Sequence, residues 1–75
     1  MDEGFILSNK YRRAIFDELV VGETDINRIA KKHHIIPLVA RKVANEFING
    51  EILEKKGNKY ILTKEGEKLA ASIRG

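Results

Sequence analysis

The stretch "EILEKKGNKYILTKEG", residues 51–66, decides how this chain is read. Ile52-Leu53 and Tyr60-Ile61-Leu62 are short apolar runs of strand type, and Gly57-Asn58 between them is a two-residue turn. A type II′ turn at that dipeptide sets the pairing as Lys56 opposite Lys59, Lys55 opposite Tyr60 and Leu53 opposite Leu62. Leu53, Tyr60 and Leu62 then share a core-facing side. Thr63 follows as an N-cap and opens a last helix that buries Leu69, Ala70 and Ile73. Lys55, Lys56 and Lys59 crowd the hairpin tip, although like charges directly across a strand pair repel. Protection of a sheet edge against aggregation explains one or two such lysines better than three.

Upstream, the spacing of apolar residues predicts three helices. The first starts after Ser8 as N-cap and runs through "NKYRRAIFDELVV" to Gly22. Tyr11, Ile15 and Leu19 form its buried stripe, widened by Phe16 and Val20. The second opens at Thr24 as N-cap and reads "DINRIAKKH". Ile26, Ile29, Ala30 and His33 fall on one face, and Asn27, Arg28, Lys31 and Lys32 on the other. His33 is expected at the edge of the core. Its neighbour His34 points elsewhere, so the two make a poor metal site. Pro37 suits the first turn of the third helix, "LVARKVANEFIN", and Gly50 is the expected C′ stop. Val39, Ala40, Val43, Ala44, Phe47 and Ile48 cover its inner side. Leu38, Arg41, Lys42, Asn45, Glu46 and Asn49 cover its outer side.

The whole chain reads as one domain, residues 1–75, without repeats, low-complexity tracts or linkers. A domain this small buries a modest core, and oligomerisation is a common aid at this size. No cysteine is present, which removes disulfides and thiolate metal sites. The acidic start "MDEGFIL" lacks a signal peptide's apolar run, and no run approaches membrane-span length, so a cytoplasmic protein is expected. Ser8 and Ser72 are the only serines, and no Gly-rich phosphate loop or metal-ligand spacing occurs. Enzymatic activity, a metal and a cofactor are therefore not expected.

Charge is distributed unevenly. Residues 1–25 carry three bases and six acids, whereas residues 26–45 carry five bases (Arg28, Lys31, Lys32, Arg41, Lys42) and no acid. An acid-free segment across two helices favours an anionic partner.

Helix, helix, helix, hairpin, helix resembles the winged helix-turn-helix DNA-binding domain over residues 8–73, with the helix-turn-helix at about 24–50 and the wing at about 51–63. Ala30 stands at the small-residue position of the second helix, and Ile29, Ile35, Ala40 and Val43 stand at the surrounding apolar positions. "YILTKEG" is similar to the wing-to-helix junction of small, archaeal-type regulators of the MarR, PadR and ArsR kinds. His34 stands where the pattern's turn usually has glycine, and Ile36 where the third helix usually has a Ser or Thr cap.

The resemblance implies a mainly α fold with a small β-hairpin (α+β), and a transcriptional regulator that binds double-stranded DNA. Its third helix would enter the major groove and offer Leu38, Arg41, Lys42, Asn45 and Asn49 to bases, with Arg41 suited to guanine and Asn45 to adenine. Thr24, Arg28, Lys31, Lys32 and the wing residues Lys55, Lys56 and Lys59 would meet the sugar–phosphate backbone. A homodimer is the expected assembly, with the apolar Phe5-Ile6-Leu7 run and the last helix as candidate contacts. The alternative is a winged helix used as a protein–protein interaction module in a larger assembly. An RNA-binding or ribosome-associated role ranks third.

Overall fold

The computed structural model describes residues 1–74, with side chains through Ile73. Its elements are α1 (Glu3–Leu7), α2 (Lys10–Val20), α3 (Ile26–Lys32), α4 (Pro37–Asn49), β1 (Leu53–Lys56), β2 (Lys59–Leu62) and α5 (Lys64–Arg74). The expected order of three helices, hairpin and helix is present, with α1 in front of it. No helix among the described residues is long and apolar enough to cross a membrane.

The hairpin has the register that its turn dictates. Leu53 pairs with Leu62, Glu54 with Ile61, Lys55 with Tyr60 and Lys56 with Lys59. Gly57 has φ 61, while Asn58 is not among the positive-φ residues, which is the pattern of a type II′ turn. Leu53 and Tyr60 are buried and Leu62 is half-buried, so the strand alternation places its inner face as expected.

Helices α2, α3 and α4 end in the same way. In each, the amide two residues past the C-cap donates to the carbonyl three residues inside, and the amide before it donates to the next carbonyl. The pairs are Glu23 N to Glu18 O (2.9 Å) with Gly22 N to Leu19 O (3.1 Å), and Ile35 N to Ala30 O (2.8 Å) with His34 N to Lys31 O (3.3 Å). The third is Ile52 N to Phe47 O (3.1 Å) with Glu51 N to Ile48 O (3.0 Å). This motif needs a left-handed residue at C′. That residue is Gly22 after α2, His34 (φ 55) after α3 and Glu51 (φ 65) after α4. Gly50 is the C-cap of α4 with φ −81, so the expected C′ stop lies one residue later, on a residue with a side chain.

Two N-caps also move by one residue. Asn9, not Ser8, caps α2 by accepting from the amides of Tyr11 and Arg12. Asp25, not Thr24, caps α3 by accepting from the amides of Asn27 and Arg28. Asp and Asn carboxyl or amide oxygens reach these amides as well as a hydroxyl does, so the neighbour in better register takes the role. Thr24 instead sends its carbonyl to the Tyr60 amide at 2.9 Å, joining the α2–α3 loop to the hairpin. Ile36 precedes α4 with no side-chain cap bond, and Pro37 follows at the first position.

The core runs between α2, α3, α4 and the inner face of the hairpin. Phe16 and Phe47 meet edge to face at 6.0 Å between ring centres and 83° between planes, a favourable aromatic geometry. Ile15, Ile29, Ala40 and Ala44 fill the space around them. Tyr11 stays at the rim rather than in the buried stripe, with the Lys10 ammonium 5.2 Å from its ring centre. In the N-terminal run, Ile6 is 1% exposed, and Phe5 packs against the core with the Arg12 guanidinium 3.7 Å above its ring. Ile6 thus belongs to the chain's own core and Phe5 packs at its edge. At the other end, Thr63 Oγ1 accepts from the Gly66 amide (3.1 Å) and donates to the Glu51 carbonyl (2.7 Å). This caps α5, from which Ala70 is buried and Leu69 and Ile73 are half-buried.

Candidate functional site

The outer face of α4 follows from its amphipathic spacing. At about 100° per residue, Leu38, Arg41, Lys42, Asn45 and Asn49 lie within an arc of about 100°. All five are exposed, opposite the buried Ala40, Val43, Ala44 and Phe47. With a rise of 1.5 Å per residue they form a strip about 16 Å long.

Glu46 is the only acid on α4 and would weaken the positive character of that strip. It lies at the strip's edge and turns back to Arg12 on α2. Arg12 Nε donates to Glu46 Oε1 (3.3 Å) and Nη2 to Oε2 (3.2 Å), a bidentate pair with both side chains mostly covered. Arg41 and Lys42 are left without a neighbouring acid on their helix.

On α3 the predicted backbone-contact residues divide. Arg28 pairs with Glu23 at 3.5 Å, and Lys32 with Glu18 at 2.9 Å. Lys31 forms no ion pair among the described residues. Both paired cations are strongly exposed, and surface pairs of this kind are weak enough for a phosphate to displace the carboxylate. His33 Nε2 lies 2.7 Å from the same Glu18 Oε2, so the ring sits at the edge of the protein as a partner of α2. The Lys32 ammonium first, and the His33 ring second, hold the Glu18 carboxyl below the usual carboxylate range. His34 is exposed at its left-handed turn position and lines an open cleft of about 290 Å³ together with His33, Lys10, Tyr11, Ala14 and Ile35.

The hairpin lysines divide by strand alternation. Lys55 shares the inner side with Tyr60, its ammonium 5.5 Å from the ring centre. Lys56 and Lys59 face each other on the outer side, where Lys56 also pairs with Glu54 at 3.2 Å. The tip therefore does not present three equal charges in one direction. Lys55 turns toward α4, while Lys59 is the outer-side cation without an ion pair among the described residues.

Between the start of α3, the middle of α4 and the hairpin lies an open cleft of about 430 Å³ lined by Asp25, Asn27, Arg41, Lys55, Asn58 and Tyr60, with Ile26 at its base. Here the structure brings together one predicted base contact, Arg41, and one predicted backbone contact, Lys55. Asn27 and Asn58 join them. Sequence reasoning placed Asn27 on the polar face of its helix and Asn58 in the turn, but gave neither a role. Thr24 is half-buried and its amide and carbonyl are both engaged, the amide by Glu23 Oε2 at 2.9 Å. Its part is to hold the hairpin against the loop.

Comparison of the chain with protein-family models, with characterised proteins and with solved structures finds no match in any of the three.

Proposed function

We propose that this chain is a winged helix-turn-helix domain that binds double-stranded DNA sequence-specifically, as a transcriptional regulator in the cytoplasm. The reading assigns α3 and α4 to the helix-turn-helix and the β1–β2 hairpin to the wing. One observation carries it: the α4 strip of Leu38, Arg41, Lys42, Asn45 and Asn49 is exposed along its length while the only acid on that helix is withdrawn onto Arg12. The major groove of B-DNA, about 12 Å wide, admits a helix and presents donors and acceptors that Arg and Asn side chains match in pairs. The cleft between α4 and the hairpin fits the same reading, since it sets the phosphate contact Lys55 beside the base contact Arg41, with Asp25 the one acid in its lining. Arg28, Lys31, Lys32, Lys56 and Lys59 would add sequence-independent contacts at its margins.

Selection of bound duplexes from a random pool tests the proposal. A defined consensus supports it, and binding should weaken steeply with salt, by a slope of roughly −0.9 per phosphate contact. A flat salt response with no consensus would remove it. A two-fold dimer on a palindrome with half-sites ~10 base pairs apart is the assembly that fits such a domain. Sedimentation showing only an 8.5 kDa species at micromolar concentration would exclude it.

A second reading, a module that docks onto another protein, draws its support from Ile36 and Leu38, which are 67% and 70% exposed at the start of α4. It predicts that binding to a partner persists at high salt, where duplex binding is lost.

A further inference from the structure

We propose that the cleft between the start of α2 and the α3–α4 turn binds a phosphate dianion, free or carried on a small organic ester. The cleft is lined by Lys10, Tyr11 and Ala14 of α2 and by His33, His34 and Ile35 at the end of α3 and in the turn. It shares no residue with the hairpin cleft and stands whether or not the chain binds duplexes. Each polar side chain in its lining can donate a hydrogen bond, and none is a carboxylate. Lys10 forms no ion pair among the described residues.

Packing accounts for the place of these groups but not for their chemistry. Glu18 takes His33 Nε2 at 2.7 Å and the Lys32 ammonium at 2.9 Å, which ties the end of α3 to α2 one turn beyond Ala14. Nδ1 is the remaining hydrogen-bonding atom of the His33 ring. His34 holds the turn at φ 55, where glycine would be unstrained. Its ring has no hydrogen-bond partner among the described residues. A side chain that costs strain and bonds nothing inside the chain has its use outside it.

The lining selects the ligand. A cation would meet an ammonium and no acid there, and no group of three His, Asp or Glu suited to a metal occurs among the described residues. A carboxylate has two oxygens to offer, whereas a phosphate has three or four and can accept from Lys10, Tyr11 and both rings together. Ala14, half-buried, and Ile35, buried, give the lining an apolar part against which an organic group can rest. The charged and titratable groups around the site are Lys10, Tyr11 and Glu18 on α2, Lys32 and His33 at the end of α3, and His34. Imidazoles in general lose their proton near pH ~6.5, and a phosphomonoester gains its second charge near pH ~6. Charged rings and a dianion are therefore best matched around pH ~6–6.5. Lys10 alone would give a plateau above that range instead of a maximum.

The full chain is titrated with phenyl phosphate, inorganic phosphate and sulfate at constant ionic strength, and NMR signals of the His33 and His34 rings are followed. Phenyl phosphate should move both saturably, with affinity highest near pH ~6–6.5 and about fivefold lower at pH ~8. Sulfate, dianionic throughout, should go on tightening below pH ~6. Tighter binding of phenyl phosphate than of inorganic phosphate identifies an ester as the ligand, and no tighter binding identifies free phosphate. Lys10→Gln and His34→Asn, asparagine being tolerant of the left-handed turn, should each weaken binding about fivefold while melting shows the fold retained. Shifts that never saturate, an affinity indifferent to pH, or full affinity in the double variant would overturn the proposal.

Discussion

Replacing Gly66 with alanine sets helix propensity against packing, and the structure decides the sign. In an open helix the change would stabilise by about 0.5–1 kcal/mol. Gly66 is buried in the first turn of α5, where a Cβ would overlap the carbonyl oxygen of Ile52 and lie 3.1 Å from both the Ile52 carbonyl carbon and Leu62 Cδ2. Leu62 can rotate away. The carbonyl cannot, because it accepts from the Thr63 amide (3.1 Å) while Thr63 Oγ1 holds the Glu51 carbonyl next to it (2.7 Å). Relief requires α5 to retreat by roughly 1 Å to reach ordinary contact distance. That movement strains both hydrogen bonds, at about 0.5–1.5 kcal/mol each, on top of about 1–3 kcal/mol for overpacking. After the propensity gain, Gly66→Ala should be destabilising by ~1–5 kcal/mol. At ~4–8 °C per kcal/mol for a domain of this size, Tm should fall by at least about 4 °C. Thermal and urea unfolding followed by circular dichroism measure this directly. Melting of Gly66→Ala at or above the parent temperature would refute the close approach of α5 to Ile52. Because Ile52 immediately precedes β1, duplex affinity should fall with stability.

Arg41→Ala or Asn45→Ala should cost ~1–3 kcal/mol on the preferred site and little on random DNA, and titration of both duplexes checks it. Equal weakening on both would mean that α4 does not read bases. Lys55→Ala and Lys59→Ala, whose ammonium groups form no ion pair among the described residues, should each flatten the salt slope by ~0.9. A parental slope in both variants would mean that the hairpin does not meet the phosphate backbone. Glu18 has its folded-state pKa below the ordinary 4.5, so its partnership with Lys32 and His33 stabilises fully above that value and is lost as pH falls through the lowered one. Glu18→Gln should therefore lose less stability than the parent between neutral and strongly acid pH, by urea unfolding at each pH. His34→Gly relieves a left-handed residue with a side chain and should stabilise by up to ~1 kcal/mol, whereas a fall in the urea midpoint would show that the His34 side chain has a stabilising contact of its own.

Much of the architecture was legible because it depends on neighbours within about four residues. Gly57-Asn58 admits only one register, so Leu53, Tyr60 and Leu62 were placed on the inner face before any tertiary contact was known. The 3.6-residue period of "LVARKVANEFIN" set the exposed strip of α4, and Pro37 and Thr63 marked two helix starts. Where two adjacent residues could serve, local chemistry was not enough. Ser8 and Asn9 are both good caps, as are Thr24 and Asp25, and in each pair the structure uses the second.

The rest was decided by packing across long sequence separations. A five-residue helix such as α1 has no stability of its own in water, and its one local signal is Asp2, which caps it by accepting from the Phe5 amide at 2.9 Å. It exists because Ile6 enters the core and Arg12 stacks on Phe5. The withdrawal of Glu46 onto Arg12 joins residues 34 apart, and the meeting of Arg41 with Lys55 needs α4 and the hairpin to be docked. Gly66 reads in the sequence as a weak point in a helix. In the folded chain it is the position where α5 approaches the Ile52 carbonyl so closely that no side chain fits. Spacing along a chain specifies which face a residue takes, but only the docking of elements specifies what that face meets.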